Sequence, residues 1–445
     1  MDFPEEYFKL LRFESVGADP SKLGECAKCA AFLKEWLSAA GFAVRLAMPD
    51  VKDGKAAPPV VVAEKKGGEG RPTVLFYGHY DVQPADPVDE WRTPPFEPVV
   101  DGERVYCRGA QDDKGQFFAF LLGMRDYLET PGEKPTVKIV LEGQEESGSA
   151  ALCAMAPEMR RELAANVLLV CDTSAAPDMR PAIVAGLRGV SHFTIRLSAA
   201  SCDLHSGEYG GIAPNAAQGI AELVASLHNP DGSIAVFGFC DGAIPPEHEE
   251  RRLAEAFYGG DEAVAADIGC EPAGGQLGKT VSQRGSFEPT IEVNGIHSGY
   301  GGPGAKTVIP CAALAKISMR LVPGQTPAGA MDVVRRHLES RVPRGMKMAI
   351  EDWTPGAGGF RLPLSSPLFR LAQDVLSQMD PRGPAFVWDG ASIPVVSVLK
   401  EVSGAAPLIV GWGQTEDRIH SPNESYSAGQ FARAREWAQK ILAAL

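Results

Sequence analysis

The sequence predicts an α/β protein, a mostly parallel sheet covered by helices and interrupted by an inserted α+β domain. Three observations predict it. Helix-like and strand-like segments alternate over roughly the first 180 residues, the pattern of a sheet built from crossover units. The strand segments are nearly continuous apolar runs, as strands buried on both faces should be. The same texture returns near the C-terminus after a stretch of antiparallel patterning. These changes place the first domain at residues 1–185 and 356–445 and the insert at 186–355.

The run SKLGECAKCAAFLKEWLSAAGF predicts a helix over residues 21–40, closed by Gly41 as its C-cap. PTVLFYGHYD, TVKIVLEGQEE and ANVLLVCDT predict three buried strands, each turning polar at its C-terminal end. From about Gly186 alternation sets in: GVSHFTIRLSA reads as a strand and NAAQGIAELVASLHN as a helix. AKISMRLVP and MKMAIEDW read as strands flanking a helix near TPAGAMDVVRRHLESR. Residues 229–310, rich in Gly and Pro, carry no periodicity that assigns an element. Beyond Gly356 a helix near PLFRLAQDVLSQ, strands at AFVWD and APLIVGWG, and a terminal helix complete the first domain.

With 445 residues, 44% of them hydrophobic and 22% charged, the chain can bury its cores without disulfide staples. A net charge of −14 with no dense Lys/Arg run argues against a nucleic-acid partner. MDFPEEYF lacks the basic and apolar regions of a secretory signal, and no apolar run approaches a membrane span. A cytoplasmic protein without a membrane partner is therefore expected, and nine cysteines without framework spacing suit a reducing compartment. Cys26 and Cys29 form the only CxxC. Lying in the expected helix with no second pair, they read as helix packing rather than a zinc site.

Five groups carry the candidate chemistry: His79 and Asp81 in GHYDVQP, Asp112 and Asp113 in RGAQDDKG, Glu145 and Glu146 in EGQEESGS, Asp172 in LVCDTS, and His420 in RIHSPNE. Alone, His-x-Asp or Asp-Asp is ordinarily a turn or a solvated surface. Four of the five, however, follow an apolar run directly or by a few residues, and open α/β sheets bind ligands outside the carboxyl ends of their strands. Imidazole nitrogen and carboxylate oxygen without thiolate suit a catalytic zinc or manganese site. A shared carboxylate can hold two ions about 3.5 to 4 Å apart. One carboxylate must stay off the ions as general base, and adjacent Glu145 and Glu146 provide one ligand and one base. Asp81, two residues after His79, points to the same side of an extended segment and can orient the imidazole. GYGGPGAKT lacks the Gly-Lys-Thr of a phosphate loop, and neither a G-x-S-x-G elbow nor an H-E-x-x-H helix is present.

GHYDVQP, YCRGAQDDKG, EGQEESGS, the Asp172 segment, LHSGEYGG, GAKTVIP, RLVP and IHSPNE run in order over residues 75–426. Together they resemble the M20 family of metallopeptidases, in particular its carnosinase-like dipeptidase branch. The resemblance implies that Asp112 bridges two divalent ions, zinc first, with manganese and cobalt as the other choices. It implies that His79 and Asp172 complete one ion and Glu146 and His420 the other, with Glu145 as base and Asp81 as orienter. It also implies a cis peptide between Asp112 and Asp113, and an insert that serves as lid and as the interface of a homodimer. By the same resemblance His205 reaches the partner's site to stabilise the oxyanion, and Arg320 grips the substrate's terminal carboxylate. Thr307, Ser392 and Asp389 match further substrate-contacting positions, Asp389 with a shorter arm than the Glu usual there. On the residues alone, His205 is a surface histidine, Arg320 a solvated strand arginine, Thr307 a turn residue and Ser392 a loop residue. The expected activity is hydrolysis of a dipeptide or similar short substrate with a free C-terminal carboxylate. The alternatives are an N-acyl-amino-acid amidohydrolase or carboxypeptidase, and, in another class, a silent, metal-free binding or scaffold relative.

Overall fold

The computed structural model describes residues 3–49, 56–390 and 393–445. Two compact units form, one from Met1–Ala185, Leu362–Val387 and Val395–Leu445, the other from Gly186–Arg361 and Trp388–Pro394. Residues 356–361 and Trp388–Pro394 thus group with the second unit.

The first unit is built on a large sheet whose strands run in the order Ala43–Ala47, Val60–Lys65, Thr136–Glu142, Thr73–His79, Val167–Val170, Ala406–Gly411 and Ala182–Leu187. The central four are mutually parallel. Antiparallel strands close the edges, including the first two, which are not among the strands expected from the sequence. Val74, Leu75, Phe76 and Tyr77 are fully buried, which is why this strand reads as an unbroken apolar run. Helix Lys114–Glu129 packs against it, with Phe120 stacked on Phe76 at 4.1 Å between ring centroids. That helix also meets the terminal helix Ala428–Ala444 closely: a Cβ on Gly123 would lie 2.0 Å from the Arg435 carbonyl oxygen. Helix Leu23–Ala39 covers the first two strands, burying Cys26 and Cys29. Burial pushes these thiols up to about 12 and about 11, so they stay protonated and pack as small apolar groups.

The second unit carries a four-stranded antiparallel sheet in the order Thr290–Ser298, Ala312–Leu321, Gly189–Ser198, Lys347–Ala357. Helices Ala216–Ala225 and Pro327–Glu339 pack on it. Each starts from a side-chain cap, Asn215 and Thr326, that satisfies otherwise unpaired amides. Phe193, Ile195 and Leu197 alternate inward with Ile317, Met319 and Leu321 and meet Ile220, Leu223, Val334 and Leu338 in one core.

Residues 229–310 hold helices His248–Tyr258, Asp261–Ile268 and Val281–Ser286 and the edge strand Thr290–Ser298. The strand hid its periodicity because a bulge between Val293 and Gly295 breaks the register, and beyond Ile291 its side chains are not buried. In helix His248–Tyr258 only Glu250 and Ala254 are buried, so no apolar stripe announces it. No helix among the described residues is long and apolar enough to cross a membrane.

Candidate metal centre

Because the central strands are parallel neighbours, their carboxyl ends lie side by side. His79 is the last residue of its strand, Asp172 follows Val170 by two residues, and Glu145 follows Glu142 by three. Asp112 lies just ahead of helix Lys114–Glu129, and His420 follows the short turn Thr415–Asp417. The Asp112–Asp113 peptide is cis.

These side chains converge. His79 Nε2 lies 3.2 Å from Asp112 Oδ1 and 3.8 Å from Asp172 Oδ2. His420 Nε2 lies 3.0 Å from Asp112 Oδ2 and 3.2 Å from Glu146 Oε2. Two groups could therefore hold a metal ion, His79 with Asp112 and Asp172, and Asp112 with Glu146 and His420. Asp112 belongs to both and turns one oxygen to each histidine.

The charges match a cation site. Hydrogen bonding to Asp112 and then Glu146 pushes His420 up to about 10. Burial works to lower His79, but Asp112 and Asp172 overcome it and hold the imidazole well above its usual range. Asp112 is held well below the usual carboxylate range, because the two histidines outweigh its burial. Burial, aided by the charges of Asp172, Glu142 and Glu146, pushes Glu145 up to about 8.

Asp81 does more than face the imidazole. His79 Nδ1 lies 3.1 Å from the Asp81 carbonyl oxygen and 3.4 Å from Oδ1. The fully buried Asp81 carboxylate also accepts the amides of Glu145 and Glu146, at 3.1 and 3.2 Å. One side chain therefore sets both the ring and the turn that carries the paired glutamates.

One contributor was missed in the sequence, and a second was named there without a role. Gln83 Nε2 donates to Glu146 Oε2 at 2.7 Å, and the signal was available, since His79, Asp81 and Gln83 fall at alternate positions of one extended segment. Asp113 Oδ2 accepts the His79 amide at 3.3 Å, and burial raises its carboxyl well above the usual range. No spacing rule separates Asp113 from Asp112.

In the second unit, His205 and Thr307 meet: strand Leu204–His205 pairs with Val308–Ile309, and Thr307 Oγ1 lies 3.3 Å from His205 Nε2. Both residues are exposed. Arg320 is half-buried near the far end of strand Ala312–Leu321, where burial lowers its pKa and the Asp389 charge opposes that. Asp389 ends strand Ala385–Asp389, and its carbonyl accepts the Arg188 amide at 3.2 Å. Ser392 lies outside the described residues.

The family model for peptidase family M20/M25/M40 matches residues 75–444. The chain belongs to this peptidase family. Among its relatives, the Beta-Ala-His dipeptidase of Homo sapiens is 30% identical over 388 residues, spanning 85% of this chain and 76% of the human one. Cys-Gly metallodipeptidase dug1 of Schizosaccharomyces pombe is 30% identical over 394 residues, spanning 84% and 80%. The solved M20 family metallo-carboxypeptidase Sso-CP2 from Sulfolobus solfataricus matches with a TM-score of 0.86 at 25% identity, over 99% of both chains. The M20 assignment and the mostly parallel sheet agree with the expectations drawn from the sequence.

Proposed function

We propose that this M20 peptidase is a two-metal dipeptidase acting on a short peptide with a free C-terminal carboxylate. The observation that carries the reading is the sharing of Asp112, one oxygen to each of two His-containing groups. The donors fit divalent ions: imidazole nitrogen and carboxylate oxygen, with no thiolate, suit zinc first and manganese or cobalt as alternatives. His79, Asp112 and Asp172 would hold one ion, and Asp112, Glu146 and His420 the other. When bound, such a pair lowers the pKa of a water and polarises the scissile carbonyl.

Glu145 stands outside both ligand groups, beside Glu146 and on the turn that Asp81 anchors. It takes the proton of the attacking water and returns it to the leaving amine nitrogen. Asp81 keeps Nε2 of His79 toward Asp112 by engaging Nδ1. Arg320 binds the substrate carboxylate, Thr307 and Ser392 contact the substrate, and Asp389 faces its free amine. The relatives named Beta-Ala-His and Cys-Gly dipeptidases support this substrate class.

His205 and Arg320 stand too far apart to serve one small substrate from the same chain. Arg320 stands eight positions along the extended strand from Ala312, roughly 25 Å at ~3.3 Å per residue, and the His205–Thr307 pair follows at the Ala312 end, where Cys311 is bonded to Ala199 and Asp203. This supports a homodimer through the inserted unit, in which each chain lends His205, for the oxyanion, and the adjoining Thr307 to its partner's site. Mixing His205→Ala with Glu145→Gln chains then restores activity, because a mixed dimer keeps one site with both groups. A mixture as inactive as its components, or an active monomer by light scattering, removes the shared site.

The activity is tested by loading the chelated protein with zinc and following free and N-acetylated dipeptides by mass spectrometry. About two equivalents of zinc per chain and cleavage of the free dipeptides alone are expected. Preference for the N-blocked substrates would favour the amidohydrolase or carboxypeptidase alternative, for which the name of the Sulfolobus neighbour is the supporting observation. Neither metal nor turnover would leave the binding or scaffold alternative.

A further inference from the structure

The side chain of Glu424 is only 1% exposed and lies four residues beyond His420. Its carboxylate accepts four hydrogen bonds from a single loop. Oε2 takes Arg108 Nη1 and the Gly109 amide, both at 2.8 Å. Oε1 takes the amides of Gln111 at 3.0 Å and Asp112 at 3.1 Å. The Glu424 carbonyl oxygen also accepts the Cys107 amide at 3.0 Å. Four acceptances saturate the lone-pair sites of a carboxylate, and the paired Arg108 offsets the burial of its charge. Arg108 is itself buried, its guanidinium donating to the Pro84 carbonyl and lying 5.3 Å from the Trp91 ring centroid.

This connection joins two segments remote in sequence. The loop wrapped around Glu424 ends on Asp112, and the segment bearing Glu424 begins with His420, so one carboxylate fixes both partners of the 3.0 Å His420–Asp112 contact. We infer that Glu424 is a positioning residue for the metal centre, pre-setting the shared ligand Asp112 against His420 before any ion binds. The inference rests on the two-metal reading. A merely structural salt bridge stabilises the chain equally with and without metal. A positioning residue stabilises the ligand geometry, so its loss falls on the metal-bound state.

The test is Glu424→Gln, whose amide nitrogen must face N–H donors. Zinc affinity of this variant is expected to fall ~10- to 100-fold, the range for partners that orient ligands. The rise in Tm on adding zinc should shrink by the corresponding amount. Zinc binding as tight as wild type, with the same zinc-induced rise in Tm, would overturn the inference even if both forms of the variant melt lower. Wild-type chain that fails to take up about two zinc ions overturns the two-metal reading first and the inference with it. Hydrogen exchange on the zinc-free wild type gives a readout that needs no variant. The amides of Gly109, Gln111 and Asp112 should be protected in the absence of metal, and free exchange there would overturn the pre-setting role should Glu424→Gln fail to fold.

Discussion

Asp112→Asn is expected to abolish hydrolysis, with turnover falling about 10⁴-fold. Loss of a partner that merely orients a ligand costs ~10- to 100-fold, and here a ligand common to both groups is lost, about 10² for each ion. The substitution removes the charge that faces His79 through Oδ1 and His420 through Oδ2. The neutral amide offers one oxygen and one nitrogen, so at most one histidine keeps an oxygen partner. Stability carries the same signature. A ligand present at a hundred times its Kd adds ~2.7 kcal/mol to the folded state, and Asp112→Asn should lose most of the zinc-dependent rise in Tm. Substantial turnover by a variant holding a single equivalent of metal would show that the shared carboxylate is dispensable.

Glu145→Gln is expected to separate binding from chemistry. The backbone amides of Glu145 and Glu146, which donate to Asp81, are untouched by the change, and Glu145 belongs to neither ligand group. Metal content and KM should therefore hold while kcat falls ~10²- to 10⁴-fold, the usual contribution of a general base. Burial already pushes this carboxyl up to about 8. Activity near wild type with metals retained would remove Glu145 as the base and direct attention to another carboxylate. Loss of metal along with activity would instead make it a ligand. The two variants thus fail differently, Asp112→Asn in metal content and Glu145→Gln in turnover alone.

Much of the architecture was written in local pattern. The strand Thr73–His79 is legible because a strand buried on both faces must be apolar throughout, and the strands ending at Glu142 and Val170 obey the same constraint. The turn to polar residues at their ends marked where His79, Glu145 and Asp172 stand, and strand adjacency predicts that such ends meet. The antiparallel alternation of Gly189–Ser198 against Ala312–Leu321 was equally plain. The edge strand Thr290–Ser298 was not, since a bulged strand that leaves most of its side chains unburied gives up the periodicity that betrays one.

The sequence by itself determined the kind of site, oxygen and nitrogen donors at the ends of parallel strands, because ligand chemistry and strand burial are local constraints on residue type. Only the tertiary structure decided how the donors are shared and held. Asp112 gives one oxygen to each histidine, Asp81 accepts two amides of the glutamate turn, and Glu424 gathers the Asp112 loop from more than 300 residues away. Each of these is a distance between segments brought together by chain folding, and a linear pattern records residue types without recording which atoms of remote segments face each other.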